Sequence, residues 1–347
     1  MNRIACFLLL LILLGAGGYD SYAQMNRRQI KKNNKRISSY KGRKSHFDKN
    51  KVYNALGISL NAFNYYGDLS PTDKKISTDL TLTRPAIGIS FVHRFGPRYQ
   101  LVGSFMYGGI RGSDETSADP DDTNSAVYRY VRNLSFRNRI KELSVVGQID
   151  LFENQSTYIS RVNWTPYLYA GLAVFHHNPQ AQVPENDLLG TPFSNAGEWV
   201  DLKPLQTEGA SYKLIQFAIP FGFGARFRLN EVMDISGEFG FRYTFTDYLD
   251  DVSGNYVDLT TLDSELARAL SYRSNEVSPG ANARLDEILA NRYTGYAGFT
   301  TVAGFGHVNS DGTENLRGKS GDKDIYMVTS IRLTYILGKT FHRAKFR

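Results

Sequence analysis

Two adjacent histidines are the residues of this chain best suited to acid–base or metal chemistry. His176 and His177 end one segment of alternating hydrophobicity, and three acids, Asp247, Asp250 and Asp251, follow another. If the two segment ends meet in space, these side chains could bind a metal ion or form an acid–base pair. The spacing is unspecific, however, and acids and histidines in loops are commonly solvated or bonded to backbone. We therefore expect no enzyme, no catalytic residue, no cofactor and no metal site.

Other signatures of catalysis are missing from the sequence. It contains neither Gly-x-Ser-x-Gly nor His-Glu-x-x-His, and the acidic run 119–122 lacks the glycine and the distal glutamate of a calcium loop. The single cysteine, Cys6, lies in a segment that we expect to be removed. Disulfides, thiolate metal sites and thiol nucleophiles are then excluded from the mature protein.

The amino-terminal residues predict export. An apolar run from Ile4 to Leu14 follows Arg3 and precedes Ser21-Tyr22-Ala23, which is the layout of a secretory signal. We expect residues 1–23 to be a signal peptide cleaved after Ala23. The alternative of an uncleaved anchor is weak, because the run is well short of the roughly 20 residues that a spanning helix requires.

Residues 24–51 account for the net positive charge of the chain. Eleven lysines or arginines lie between Arg27 and Lys51 with a single acid, Asp48, whereas the whole chain has a net charge of +7. We expect a disordered periplasmic segment, which leaves three roles open: a solvated linker, a contact with anionic lipid head groups, or docking on an acidic partner. Nucleic acid is excluded by the expected compartment.

Hydrophobicity with a period of two predicts long β-strands. From Ile215 to Leu229, bulky apolar residues occupy every second position and small or polar residues lie between them. Soluble strands average 5–6 residues, whereas transmembrane strands need about 9–11. Eight segments have this character: Val52–Tyr65, Pro85–Phe95, Tyr99–Ile110, Ile140–Phe152, Thr165–Phe175, Ile215–Leu229, Ile235–Phe245 and Ile325–Leu337.

The connections between these segments alternate between short and long. The short ones are 96–98, 153–164 and 230–233, and the long ones are 66–84, 111–139, 176–214 and 247–324. Bacterial barrels keep periplasmic turns short and place long loops outside. The sequence therefore predicts an all-β fold: an eight-stranded antiparallel transmembrane barrel over 52–338, with both termini periplasmic and a short basic tail at 339–347. Within the last loop, Leu262–Leu270 and Ala283–Asn291 predict short helices.

The barrel interior is predicted to be a polar plug. Eight strands enclose a space just wide enough for side chains to fill it. Charged side chains in that space must pair, because an isolated charge is costly there; a path for protons or ions is the alternative. The inward-facing charges are Arg226, Arg228, Arg242, Arg332, Glu142, Asp150, Asp234 and Glu238.

Several short strings together resemble a known family. They are Tyr65–Leu69, Trp164–Gly171 running into His176, Gly197–Leu202 with Leu205–Gly209, Ile219–Gly222, Thr246–Gly254, and Arg317-Gly318 followed by Asp324–Tyr326. The chain between Tyr53 and Leu337 thereby resembles the PorG-like outer-membrane barrels of the type IX secretion and gliding machinery. The residues that carry the motifs are Tyr66, Gly67, Asp68, Trp164, Pro166, Trp199, Asp201, Asp247, Tyr248, Asp250, Asp251, Arg317 and Gly318.

The resemblance implies a structural protein of the outer membrane. Its partners would be outer-membrane lipid and, at the periplasmic face, a ring formed by a lipoprotein and its soluble partner; no nucleic acid and no small-molecule substrate is expected. Two alternatives from other functional classes remain open at this point. One is an outer-membrane enzyme, and the other is a surface adhesin or receptor that acts through the long outer loops.

Overall fold

The computed structural model describes residues 51–69, 82–121, 126–278, 282, 285–286, 316–321 and 323–338. The predicted signal peptide at 1–23, the basic segment at 24–51 apart from Lys51, and the tail at 339–347 lie outside the described residues, as does most of the predicted helix Ala283–Asn291. Within the described part of the chain, no helix is long and apolar enough to cross a membrane.

Eight long antiparallel strands close into a barrel, which confirms the predicted fold class. β1 pairs with both β2 and β10, and the β3–β4 pairing completes the cylinder. The barrel strands are β1 (Tyr53–Tyr66), β2 (Arg84–Arg94), β3 (Tyr99–Ser113), β4 (Ser135–Asp150), β5 (Trp164–His176), β8 (Ile215–Arg228), β9 (Met233–Thr244) and β10 (Ile325–Leu337). Two short strands, β6 (Pro179–Gln182) and β7 (Trp199–Asp201), form a hairpin beside β4.

The loop between β3 and β4 is shorter at both ends than the predicted range 111–139. β3 continues to Ser113 and β4 begins at Ser135, and these two residues pair with each other. The hydrophobicity pattern missed the extension because its outward positions are basic rather than apolar. Arg137 on this extension pairs with Gln180 of β6, so the extended β4 also provides the edge on which the hairpin forms.

The alternation of the strands produces two unlike faces. On β4 the outward side chains of Leu143, Val145 and Ile149 are about half exposed, whereas Glu142, Ser144 and Gln148 point inward and are buried. The same pattern continues around the barrel and gives it an apolar outer belt. Exposed members of the belt on other strands include Leu56, Ile58, Leu60, Ile87, Ile89, Phe105, Leu168, Leu172, Phe217, Phe223 and Ile331.

The interior is filled by ion pairs that join side chains of different strands, as predicted. Asp150 contacts Arg94 at 2.9 Å and Arg226 at 2.7 Å. Glu142 pairs with Arg242 at 3.3 Å. Two further interior pairs are Arg332–Glu238 and Arg161–Asp234. Three cavities that remain between these side chains have volumes of 20, 10 and 20 Å³, each room for about one water molecule.

Arg228 differs from the prediction that it would join the charged interior. Its guanidinium donates to the backbone carbonyls of Ile159, Arg161 and Asn230. Asp234 is paired instead with Arg161, which comes from the connection between β4 and β5. Strand alternation correctly placed Asp234 inside, but it could not reveal that a turn would supply the partner.

The barrel has two different ends. The short connections 95–98, 151–163 and 229–232 define the short-turn end, where β1 begins and β10 ends. The opposite, long-loop end carries the β6–β7 hairpin and three short helices, α1 (Asp114–Ser117), α2 (Ala126–Arg132) and α3 (Glu265–Ser271). α3 confirms the predicted helix Leu262–Leu270; it begins after Ser264, whose side chain accepts a hydrogen bond from the Ala267 N–H, as a good N-cap does.

Candidate functional site

The long-loop end is closed by a cluster of buried charged and polar side chains that come from separate connections. We call it the loop-end cap. Its members come from the end of β1, the connections β1–β2, β3–β4, β7–β8 and β9–β10, and α2. They are Tyr65, Asp68, Asp114, Arg132, Glu208, Asp250, Asp251, Arg317 and Asp324. Apart from Asp68 and Glu208, which are partly buried, they are at most 3% exposed.

Tyr65 links the end of β1 to both ends of the last loop. Its hydroxyl oxygen lies 2.6 Å from Asp250 Oδ2 and 2.8 Å from Asp324 Oδ1. The remaining carboxylate oxygens accept backbone N–H bonds, from Val252 to Asp250 and from Leu249 to Asp324. A tyrosine hydroxyl has a single proton, so it donates to one carboxyl group, and a proton on a carboxyl group completes the second bond.

Burial and like charge set the electrostatics of this pair. Burial, followed by the nearby carboxylates, raises the pKa of Asp250 well above its ordinary value. Burial likewise raises the pKa of Asp324 well above its ordinary value, although its bonds to Leu249 N–H and the Tyr65 hydroxyl oppose the shift. Both effects favour the shared proton that the geometry requires.

Two motif glycines are explained by close packing inside the cap. A Cβ on Gly67 would lie 2.0 Å from both Asp324 Oδ1 and the Tyr65 hydroxyl. A Cβ on Gly318 would lie 2.4 Å from Asp68 Oδ2 and 2.9 Å from Ser253 N. Since contacts this short do not occur with real side chains, any larger residue at either position would separate the loops.

Arg132, at the end of α2, holds three connections together. Its guanidinium makes a forked contact with the Asp114 carboxylate, at 2.7 and 2.8 Å. It also donates to the carbonyl of Asp68 at 2.7 Å and to that of Arg317 at 2.6 Å. Asp114 in turn accepts the N–H of Leu134. The planar fork of an arginine suits such a site, because its donors can be satisfied in several directions at once.

Arg317 performs the same task on the opposite side of the cap. It pairs with Glu208 at 2.9 Å and donates to the carbonyls of Asp251, at 2.6 Å, and Ser271, at 3.2 Å. The Glu208 carboxylate also accepts the N–H groups of Ser253 and Gly254. One ion pair therefore fixes the β7–β8 connection to both halves of the last loop.

A stack of aromatic rings borders the cap. The Tyr212 ring lies parallel to that of Tyr248, with centroids 4.7 Å apart, and stacks on His177 at 6.2 Å. The Tyr212 hydroxyl donates to Asp251 at 2.6 Å, and Thr207 donates to the other oxygen of the same carboxylate. Burial raises the pKa of Asp251 to about 6, although nearby Arg317 opposes the shift.

The histidine hypothesis can now be compared with the geometry. His177 is fully buried, and its ring nitrogens contact the Lys213 carbonyl at 3.1 Å and the Asn138 amide at 3.5 Å. Burial lowers the pKa of His177 to about 4, so the ring is neutral at pH 7. Among the described residues, no group of three or more histidine, cysteine, aspartate or glutamate side chains is arranged to hold a metal ion.

The remaining acid of that hypothesis, Asp247, accepts a hydrogen bond from Ser253 Oγ at 2.7 Å. Burial raises the pKa of Asp247 to about 6. Its partner is a hydroxyl within the same loop, so the bond stabilises the turn that follows β9.

Most of the motif residues lie in or beside the loop-end cap, but five lie elsewhere. Tyr66 is at an outward position at the end of β1, with its hydroxyl 3.8 Å from Met327 Sδ. Trp199 and Asp201 are on β7, where Arg137 lies 4.0 Å above the Trp199 ring and Gln180 donates to Asp201 at 2.7 Å. Trp164 and Pro166 lie at the short-turn end of β5. Trp164 is half exposed and packs edge to face on Phe152 at 5.5 Å, the position of an aromatic residue at a membrane interface.

Several residues in and beside the cap were not singled out from the sequence. Asp114 and Arg132 flank a connection with no recognisable pattern, and Tyr212 follows a stretch without periodicity. Their partners lie far away in sequence, so local pattern carries no signal for them. Glu208 and Asp324 did lie within motif strings, next to the residues that were chosen.

The cap holds the loops together through groups that satisfy one another's hydrogen bonds. Its arginines are bonded to carboxylates and backbone carbonyls, and its carboxylates to arginines, hydroxyls and backbone N–H groups. Groups that satisfy one another in this way gain little by leaving their partners for a substrate. The arrangement is suited to holding the loops in one conformation over the end of the barrel.

Comparisons with known proteins find a family model that matches part of the chain and solved structures that are similar at low identity. Residues 44–188 match a family model described as a domain of unknown function, DUF6089. No curated protein matches the chain. Among solved structures, the chain is similar to OprG from Pseudomonas aeruginosa, with 8% identity over 83% of this chain and 98% of that one and a TM-score of 0.35.

Two further solved structures are similar over comparable lengths. One is Ail, the attachment invasion locus protein of Yersinia pestis, with 7% identity over 83% of this chain and 99% of that one and a TM-score of 0.32. The other is the amino-terminal β-barrel domain of Pseudomonas aeruginosa OprF, with 8% identity, coverages of 82% and 99%, and a TM-score of 0.31. The eight-stranded architecture of the present chain rests on its own strand pairing.

Proposed function

We propose that this protein is a non-enzymatic structural component of the outer membrane that belongs to the type IX protein secretion machinery. In this role the barrel anchors a periplasmic ring, made of a lipoprotein and its soluble partner, through its short-turn end. The observation that carries the structural role is the interior filled with paired charges. A barrel whose interior is filled in this way has no open channel, so other proteins can bind only at its two ends.

The apolar belt supports the placement in a membrane. Apolar side chains, many of them at least half exposed, surround the barrel. The strands have 11–16 residues and are long enough to cross a bilayer. The strong difference between short and long connections supports an orientation in which the short-turn end and both termini are periplasmic. The basic segment at 24–51 would then be available to partners in the periplasm.

The paired interior supports a structural rather than a conducting role. Asp150 is shared by two arginines, and Glu238 accepts from both Arg332 and the Tyr167 hydroxyl. Moving an ion through the barrel would require separating buried pairs, and breaking one such pair costs about 3–5 kcal/mol. The neutral, buried His177 and the mutually bonded acids of the cap support a role without catalysis.

The short-turn end has a shape and composition that suit a protein partner. The connection 151–163 is its longest, and it folds back so that Tyr158 is buried and Arg161 reaches Asp234 at 2.6 Å. That anchoring leaves the side chains of Ile159 and Val162 exposed on the same turn. The specific assignment to type IX secretion is supported by the motif strings, such as Tyr65–Leu69 and Thr246–Gly254, that resemble the PorG-like barrels.

A deletion experiment tests the proposal. Loss of the gene should retain secreted cargo in the periplasm, and affinity purification of the tagged wild-type barrel should recover a ring lipoprotein. Ile159→Asp/Val162→Asp should insert normally but lose the lipoprotein. Leu189→Asp, at an exposed leucine of the long-loop end, is the matched control and should keep it. Unchanged cargo export after deletion would overturn the secretion role.

The two alternative functions, an outer-membrane enzyme and a surface adhesin or receptor, predict different results in the same strains. Altered lipid composition after deletion would favour an enzyme, and loss of surface binding after trimming of the outer loops would favour an adhesin or receptor. If only the Leu189→Asp variant impaired function, the active surface would be the long-loop end and the proposed anchoring role would be wrong.

A further inference from the structure

A strip of four basic side chains lies on the outer wall of the barrel near the long-loop end. We call it the basic strip: Arg111 on β3 and Arg137, Arg139 and Lys141 on β4. On β4 the three occupy successive outward positions, since the residues between them, Asn138 and Ile140, are buried inside. Arg111 is directly opposite Arg137 in the β3–β4 register.

The strip lacks acidic partners in the described part of the chain. None of the ion pairs found there involves any of its four residues. Arg137 donates to the Gln180 side chain at 2.9 Å and lies over Trp199, and both partners are neutral. Like charges directly opposite each other on neighbouring strands are destabilising, so an anion bound between Arg111 and Arg137 would relieve a repulsion.

The strip begins where the apolar belt ends. On and just after β4 the exposed apolar positions run from Leu151 to Leu143, and the next outward residue is Lys141. The ten residue steps from Leu151 to Lys141 extend about 33 Å along the strand, or about 25 Å along the barrel axis at the usual tilt. Because the apolar band of such barrels is about 25 Å tall, Lys141 and Arg139 fall at the level of the lipid head groups.

The local surface has room for a ligand between the cations. Gly109 is paired with Arg139, and a Cβ on Gly109 would meet only the Asn138 carbonyl oxygen, at 3.5 Å. At Gly109, β3 therefore leaves a shallow depression in the outer surface beside Arg139. Tyr107, which pairs with Lys141, is 39% exposed and marks the edge of the belt on β3.

The opposite wall shows that this feature is confined to one side. On β9 and in the residue after it, the outward positions at the long-loop end are Tyr243 and Phe245, which are exposed aromatic residues in edge-to-face contact. At the short-turn end the exposed Arg98 has an acidic neighbour, Glu153, at 3.9 Å. Among the described residues, β3 and β4 thus place four cations without an acidic partner side by side at the edge of the belt.

We propose that the basic strip binds the phosphate groups of a phosphorylated lipid in the outer leaflet, whose acyl chains lie against Leu143 and Phe105. Arginine and lysine are the side chains that bind phosphate, and the arginine fork can make two bonds to one phosphate. A lipid suits the site better than a free anion, because the cations continue a lipid-facing apolar surface. This inference rests on the membrane placement proposed above but not on the secretion role.

The test uses the full chain inserted into vesicles of phosphatidylcholine doped with diphosphorylated lipid A or with the same lipid after removal of its phosphates. Lipid retained by the protein is measured by native mass spectrometry. The wild type should retain the phosphorylated form preferentially. With about 1 kcal/mol for each cation near an anionic surface, Arg139→Gln/Lys141→Gln should bind it about thirtyfold more weakly.

The matched control, Lys51→Gln/Arg98→Gln, removes two positive charges at the short-turn end and should bind as the wild type does. Inorganic pyrophosphate should not displace the lipid. Equal retention of the dephosphorylated lipid, displacement by pyrophosphate, or equal loss in both double variants would overturn the inference. Insertion is followed separately by protease protection in plain phosphatidylcholine vesicles, where failure of the wild type would overturn the membrane placement itself.

Discussion

The barrel interior and the loop-end cap both bury charged side chains, but they bring the partners together in different ways. In the interior, strand register sets the partners: Arg242 and Tyr326 face each other across β9 and β10, and both contact Glu142. In the cap, Arg132 and Arg317 connect loops that strand register does not align, through bonds to the carbonyls of Asp68, Asp251 and Ser271.

The difference has a mechanical consequence. Most interior pairs reach across the barrel between strands that are not neighbours. Backbone hydrogen bonds already hold every strand in the closed wall, so each pair is one support among many. Cap arginines bind backbone carbonyls of several loops, which lie outside that ladder of strand hydrogen bonds. Damage to the cap should therefore release the loops while the barrel stays folded, whereas damage to the interior should lower the stability of the barrel as a whole.

The largest effect is expected from Arg317→Leu. This change leaves Glu208 without its cationic partner and removes the bonds to the Asp251 and Ser271 carbonyls. Removing one partner of a buried ion pair costs about 3–5 kcal/mol. Hydrogen exchange in vesicles should show fast exchange in 205–212 and 249–273, with the strands still protected.

Arg317→Lys is the matched variant for that experiment. It keeps the charge but cannot reproduce the forked contacts, so its loops should open to an intermediate degree. If Arg317→Leu left loop exchange unchanged, or unfolded the strands together with the loops, the separation between cap and barrel would be wrong.

A smaller effect should follow pH, because Asp251 is buried in the cap with a pKa raised to about 6. The folded protein binds this proton more tightly than the unfolded chain does, so the stabilisation is complete below about pH 4 and is lost as pH rises through about 6. A shift of about two pKa units corresponds to about 2–3 kcal/mol. The protection factors of the loop amides, which correct for the base-catalysed rise in intrinsic exchange, should therefore fall between pH 4 and 7.

Asp251→Asn serves as the control for the pH experiment. Asp251 has φ of 69°, in the left-handed region that asparagine also tolerates, so the substitution keeps the backbone while removing the titration. Its loop exchange should depend less on pH over this range. An unchanged pH profile in the variant would assign the effect to another group.

The strand framework could be predicted from the sequence, whereas for the cap the sequence singled out some of the residues but none of their contacts. Alternation over Ile215–Leu229 predicts both the strand and its inward face, because the two sides of a barrel wall face different environments: an apolar one outside and a polar one inside. Asp114 and Arg132 carry no such pattern, since their environment is created by loops that meet only after the barrel has closed. Gly67 and Gly318 are intermediate: the sequence singled them out, but only the structure supplies the reason.

In the interior, Arg226→Met should have a more modest effect, about 1–2 kcal/mol. Asp150 loses one arginine but keeps Arg94 at 2.9 Å, so the loss is that of a charged hydrogen bond rather than of a sole partner. Urea unfolding in vesicles should show a lower midpoint for the whole barrel and unchanged loop exchange. Combining the change with Arg94→Met should cost more than the sum of the two single effects, because only the double variant isolates Asp150.

The smallest effect is expected at the β6–β7 hairpin, which lies beside the cap. Trp199→Leu removes the ring under Arg137, a contact worth about 0.5–1 kcal/mol at an exposed site. The β6–β7 backbone pairs remain, so protease sensitivity should rise modestly at 183–198 only, and Asp201→Asn is the matched control in the same strand. If Trp199→Leu instead released 205–212 and 249–273 as Arg317→Leu does, the hairpin would have to be counted as part of the loop-end cap. The motif residues on β7 and those around Arg317 would then serve one structure rather than two.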